Sequence, residues 1–111
     1  MKRGDFVTVA LSGDYGKPRP ALIIQADAFN ALPSVTVLRL SSEIIPAHLT
    51  RITVEPGPKN GLRVASQIMI DKAATLPREK VGQIIGHLDP ATMRTVNKAL
   101  IAFFGLEGIA A

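Results

Sequence analysis

The sequence contains no cysteine among its 111 residues. That excludes disulfides, thiolate metal sites and a cysteine nucleophile. Its two histidines, His48 and His87, lie far apart, which argues against a zinc site. Tryptophan is absent and aromatic residues make up 5%, so a stacking platform for single-stranded bases is not the main binding device. No apolar run reaches the length of a membrane span, and Met1-Lys2-Arg3-Gly4-Asp5 carries no apolar leader. A cytoplasmic protein without membrane contact is therefore expected. There is no P-loop, no G-x-S-x-G, no H-E-x-x-H and no dinucleotide fingerprint. The carboxylates are scattered, with no pair spaced for glycosidase chemistry. Neither a metal nor a cofactor is expected.

What is present suffices for one domain, residues 1–111. Hydrophobic residues make up 47% of the chain, enough for a core. The net charge of +4 permits a polyanionic partner without requiring one. The chain is organised around Gly16-Lys17-Pro18-Arg19-Pro20 and the apolar run Ala21-Leu22-Ile23-Ile24 that follows. Each proline lacks a donor and pushes the residue before it toward an extended conformation. Arg19 is thus expected where a loop becomes a rigid strand. There it is either an ordinary charge at a strand edge or a cation suited to gripping a phosphate.

The rest reads as short strands separated by turns. Phe6–Leu11 is a first strand, followed by turn residues from Ser12 to Pro18 with Tyr15 packing the loop. Ala21–Ala26 is a second strand. Asp27–Pro33 reads as a short helical turn with Asp27 as its N-cap. Ser34–Leu40 is a third strand, ending in the hydroxyls Ser41 and Ser42, which either close a turn or bind a substrate. Arg51–Val54 is a fourth. Asn60-Gly61 signals a hairpin into a fifth, Leu62–Ile70, with Ser66-Gln67 in its middle. That polar pair fits a satisfied core hydrogen bond or a substrate contact. Leu76–Lys80 reads as a helical turn and Gly82–Leu88 as a last strand. Asp89-Pro90 then opens the clearest helix, with Met93, Val96, Leu100, Phe103 and Phe104 on one face and Gly105 as its C-terminal cap. Five or six short strands and a C-terminal helix predict a small, mostly antiparallel barrel.

Cations and hydroxyls beside strand ends suit one metal-free reaction, attack of a ribose 2′-OH on its own phosphodiester. The nucleophile belongs to the RNA, and the protein orients it and stabilises negative charge. Arg3-Gly4-Asp5 and Lys17-Pro18-Arg19-Pro20-Ala21-Leu22-Ile23-Ile24 resemble the MazF/PemK (Kid) family of toxin endoribonucleases. The resemblance continues through Leu40-Ser41-Ser42, Gly61-Leu62, Ser66-Gln67-Ile68 and Gly86-His87-Leu88 to Gly105-Leu106.

The resemblance implies an SH3-like barrel that forms homodimers. It implies sequence-specific, metal-independent cleavage of single-stranded RNA, leaving a 2′,3′-cyclic phosphate and a 5′-hydroxyl. It also implies a cognate antitoxin, small and partly disordered. Arg19 matches the family's catalytic arginine, and Ser41 falls where many members have a catalytic threonine. Lys17, Arg39, Ser42, Arg51, Ser66 and Gln67 are candidate substrate contacts. Some members carry an acidic residue where this chain has Ser66, so a carboxylate base is not assumed. An arginine used by some members would fall at Val64, with Arg63 beside it; that role is not carried over. His48 is a residue type that can take a proton near neutral pH, but nothing in the sequence ties it to the site. The alternative function is a non-catalytic module of the same fold that acts on a protein target such as DNA gyrase.

Overall fold

A computed structural model describes residues 1–10 and 17–107. The expected strand end at Leu11, the turn residues 12–16 and Tyr15 among them lie outside the described residues. Among the described residues six strands form one sheet: β1 (Asp5–Val9), β2 (Arg19–Ile23), β3 (Ser34–Ser41), β4 (Arg51–Val54), β5 (Ser66–Pro77) and β6 (Val81–His87). The helix α1 spans Pro90–Phe103, and two 3-10 turns lie at Asp27–Phe29 and Arg78–Lys80. The sheet order is β4-β5-β3-β2-β1-β6, with every neighbouring pair antiparallel.

The apolar runs of β1 to β3 do not alternate with polar residues because both faces of these strands are covered. Phe6, Leu22, Leu38 and Leu40 join Ile68, Ile70 and Leu88 in one core, closed by Val96 of α1 with Met93, Ala99 and Leu100 packed against it. Their sequence neighbours Val7, Val9, Ala21, Ile23, Val35 and Val37 join Leu76 of β5 in a second core, with Met1 and Val81 against it. Successive side chains on a strand point to opposite faces, so these clusters sit on the two sides of the sheet. The sheet must curl for β5 to reach the second core. A bulge permits this: Leu38 faces Ala73, yet Leu40 faces Ile68. The expected small SH3-like barrel with a C-terminal helix is the architecture found, with the sheet left open between β4 and β6.

That opening is bridged by the segment between β4 and β5. His87 N–H donates to the Lys59 carbonyl at 2.9 Å. Two glycines allow the approach. A Cβ on Gly61 would collide with the Ile85 carbonyl, and one on Gly86 with the backbone of Asn60. Gly61 also has a φ of 70°, in the left-handed region. The Asn60 side chain stabilises the turn, accepting from Gly57 N–H and Leu62 N–H, each at 3.0 Å, and donating to the Glu55 carbonyl at 2.8 Å.

Several expected boundaries move for identifiable reasons. β2 ends at Ile23, before Ala26, because the Gln25 amide takes over the ladder. It accepts from Thr36 N–H at 3.0 Å and donates to the Ser34 carbonyl at 3.2 Å. Asp27 is not an N-cap; its carboxylate accepts from Arg3 N–H at 2.7 Å. Asn60-Gly61 does not close a tight hairpin, since its geometry serves the contact with β6. The fifth strand therefore starts later, at Ser66, and runs on through Leu76-Pro77, leaving only Arg78–Lys80 as a 3-10 turn.

The helix expectations hold at both ends. Asp89 caps α1 by accepting from Thr92 N–H at 2.9 Å, with Pro90 at the first position. Leu106 N–H reaches the Ile101 carbonyl and Gly105 N–H the Ala102 carbonyl, a Schellman cap with Gly105 at φ 68°. Phe103 and Phe104 instead leave the core; both are about half exposed and meet edge to face at 5.3 Å.

Two predictions follow from these contacts. Gly61→Ala forces a methyl group against the β6 backbone at a left-handed φ, which alone costs about 1–3 kcal/mol. Urea unfolding will show a lower midpoint, and an unchanged midpoint would disprove the close-contact account. The Thr92 hydrogen bonds hold the Asp89 carboxyl below the usual aspartate range. A depressed folded-state pKa stabilises above the unfolded value, and that contribution fades as pH falls through the folded one. Asn keeps the cap but does not titrate. Asp89→Asn will therefore flatten the acid limb of the stability–pH curve while nearly preserving neutral stability.

Candidate active site

Arg19 is the first residue of β2, at the junction where the prolines were expected to place it. Its backbone faces Val9 of β1. The β2–β3 ladder pairs Ala21 with Arg39, each two residues from the strand end that carries Arg19 on β2 and Ser41 on β3. The exposed guanidinium of Arg19 lines a cleft of about 550 Å³ with Ser42, Ser66, Thr8 and Gln83. Leu62, Arg63 and Val64, which directly follow the Asn60-Gly61 turn, also line it. Among the described residues that line the cleft there is no Asp, Glu or His, and Arg19 and Arg63 are the charged ones.

Ser41 lies at the edge of this cleft and not among the residues lining it. Its Oγ accepts from Glu43 N–H at 3.1 Å, closing a turn. With one lone pair engaged, the hydroxyl keeps its proton available for donation to an oxygen such as that of a phosphate. The turn-closing reading of Ser41-Ser42 is the one this bond supports. Ser66 is 3% exposed and donates its hydroxyl to the Val64 carbonyl at 3.1 Å. This bond ties the Arg63–Val64 segment to the start of β5.

The adjacent residue Gln67 points to the opposite side of β5. It forms part of a second cleft of about 490 Å³ with Arg51, Thr53, His48 and the residues 44–47. Gln67 is also 3% exposed, and its amide bonds the β3–β4 loop. Arg51 reaches the Glu43 carbonyl and Gln67 Oε1 at 3.5 and 3.4 Å. The expected site residues are thus divided. Arg19, Ser42 and Ser66 share one cleft, with Lys17 exposed two residues before β2 and Ser41 at the edge. Arg51 and Gln67 share the other with His48, while Arg39 sits on β3 opposite Ala21.

Arg63, Thr8 and Gln83 are the cleft residues that sequence reasoning passed over. For Arg63 a signal existed in the Asn60-Gly61 pair, which fixes the backbone two residues earlier. Thr8 and Gln83 become neighbours only through the β1–β6 pairing, where Gln83 N–H donates to Thr8 Oγ1 at 3.0 Å. Nothing local announces that contact.

Residues 2–104 match the family model described as PemK-like, MazF-like toxin of type II toxin-antitoxin system. The chain is 45% identical over 109 residues to a probable endoribonuclease MazF of Mycolicibacterium smegmatis, covering 97% of this chain and all of the relative. It is 30% identical over 105 residues to the endoribonuclease EndoA of Bacillus subtilis, covering 90% of each. Among solved structures, a mycobacterial endoribonuclease in complex with its cognate antitoxin superposes with a TM-score of 0.78 at 27% identity. That match covers 96% of each chain.

Proposed function

The chain belongs to the PemK-like, MazF-like toxin family of type II toxin–antitoxin systems, and from that premise we propose that it is a metal-independent endoribonuclease. It cuts single-stranded RNA at specific sequences in the cytoplasm and is neutralised by a cognate antitoxin. The observation that carries this reading is a cleft that brings Arg19 and Arg63 together with Ser42, with no carboxylate among its described lining residues and with Ser41 beside it at the end of β3. Two cations beside hydroxyls suit a phosphodiester.

In the proposed reaction the ribose 2′-oxygen forms a bond to the adjacent phosphorus and the bond from phosphorus to the 5′-oxygen breaks. The products are a 2′,3′-cyclic phosphate and a 5′-hydroxyl. The proton lost by the 2′-OH passes to water, and the leaving oxygen takes one in return. Arg19 offers paired N–H donors to the two non-bridging oxygens, where negative charge grows in the transition state. Ser41 donates its hydroxyl to the phosphate and holds the reacting group in line. Ser42 and Arg63 flank the reacting linkage, while Lys17 and Arg39 contact the backbone on either side. Ser66 acts through the segment it supports. A guanidinium holds its proton too firmly for a general acid, so the protein's contribution is charge and orientation.

An acidic antitoxin segment laid over the two arginines would exclude RNA by matching its charge. Large apolar side chains exposed at the end of α1, Phe103, Phe104 and Leu106, support a homodimer. The gyrase-type alternative gains no specific support, since a pure binding module needs no cationic cleft beside a hydroxyl-bearing turn.

Arg19→Ala will lower cleavage by a hundredfold or more, the ~3 kcal/mol typical of losing one preorganised transition-state contact. Fold and oligomeric state will be kept. Arg19→Lys will rescue poorly, because a point charge cannot bridge two oxygens as the planar fork does. Wild-type cleavage will persist in EDTA and leave cyclic phosphate ends. Arg19→Ala cutting at the wild-type rate would remove the site assignment, and a strict requirement for Mg²⁺ would remove the mechanism. Separately, sedimentation at micromolar concentration will give twice the chain mass; a clean monomer would refute the dimer.

A further inference from the structure

The Gln67 amide uses every hydrogen-bonding position it has. Its Oε1 accepts from Ile45 N–H at 3.1 Å and from the Arg51 guanidinium at 3.4 Å. Its Nε2 donates to the Ile45 carbonyl at 2.9 Å and to Thr53 Oγ1 at 3.1 Å. An amide has two acceptor lone pairs and two N–H donors, so nothing is left for a substrate. The double bond to Ile45 imitates a strand pair, with a side chain in place of a backbone. Turning the amide over would set donor against donor and acceptor against acceptor, so the orientation is fixed.

This bonding bears on the reacting groups through a short path. Gln67 stands opposite Ser41 in the β3–β5 ladder. The loop it grips begins with Ser42, and the Glu43 backbone is held at both ends. Glu43 N–H is bonded to Ser41 Oγ and its carbonyl to Arg51, which itself rests on Gln67. Ser42, the cleft residue, lies between these anchors. The hydroxyl of Ser41 is therefore oriented by a network that Gln67 completes from the far side of β5.

We infer that Gln67 is a positioning residue for RNA cleavage: it fixes the Ser41–Ser42 turn through Ile45 and Arg51 and does not touch the RNA. Arg51 shares this role as a strut. The inference rests on the reading that the Ser41–Ser42 turn takes part in cleavage. It changes the meaning of a polar pair in a strand. Ser66 and Gln67 act from opposite sides of β5, Ser66 on the cleft residue Val64 and Gln67 on the loop after Ser41–Ser42 through Ile45.

The test compares wild-type protein with Gln67→Met, which keeps length and loses all four bonds. Steady-state cleavage of a short RNA, its salt dependence and amide exchange at Ile45 are measured together. The expected result is a kcat lower by about tenfold to a hundredfold, the scale on which small misplacements act. KM and the salt slope will stay near wild type, and the Ile45 amide will exchange faster. If Gln67→Met does not fold, Thr53→Val serves instead. It removes one bond from an exposed strand position where valine is well accommodated. That variant is expected to lower kcat a few-fold with faster Ile45 exchange. Unchanged kcat in a folded variant of an active wild type overturns the inference. So does a raised KM with a shallower salt slope and intact kcat, which marks direct RNA contact. A wild-type protein that cuts no RNA overturns the functional reading itself, while the exchange measurement still reports whether the clamp exists.

Discussion

The cleft depends on one steric constraint, the passage of two backbones at Gly61 and Gly86 with no room for a methyl group between them. The sheet is open between β4 and β6. Without this contact the segment joining β4 to β5 would have nothing to lie on. With it, Leu62 enters the main core and Arg63 and Val64 line the same cleft as Arg19. The Asn60 side chain and the Ser66 hydroxyl then secure the segment at its middle and end. The geometry of a charged site is thus set by two residues that carry no side chain.

Much of this was legible in the residues, and the pattern of success has a physical basis. Pro18 and Pro20 restrict backbone angles directly, so the start of β2 at Arg19 could be read locally. So could the Asp89-Pro90 opening and Gly105 close of α1. The misplaced boundaries share another origin, a contact made outside the local segment, by a side chain in two cases and by backbone in the third. Gln25 took over the ladder from the end of β2, and Asp27 bonded Arg3 in place of its own turn. Asn60-Gly61 has hairpin composition but serves a contact with β6. In the candidate site, Arg19 and Ser41 stand at a strand start and a strand end, positions their local sequence announced. The division of Ser66 from Gln67 follows from strand alternation, but which cleft each would meet required the topology.

The two sides of β5 divide the work of the proposed site. In the proposal one side presents cations and a hydroxyl-bearing turn to a phosphodiester, with no Asp, Glu or His among the described residues lining the cleft. The other is a tight amide network that exposes little and orders the same turn from behind. Such an arrangement places few demands on any single residue's chemistry and many on geometry. The Ser41 hydroxyl itself is held by one bond, from Glu43 N–H.

Burial on both faces of the central strands has one more consequence, for alignment. In a strand with one wet face, a shift by one residue turns every apolar side chain outward, so hydrophobicity alone holds the pairing. β2 lacks that protection, because Ala21, Leu22 and Ile23 would find apolar surroundings on either face. Its alignment needs other markers, and the strand is bracketed by them. Pro20, which has no N–H to offer, stands near one end, and Gln25, whose amide fits only one place beside Thr36 and Ser34, follows the other. A slip of one place would carry Arg19 about 3.3 Å along the strand, away from its partner Val9. The prolines beside the arginine thus also serve as an index mark that keeps it at its place on the sheet.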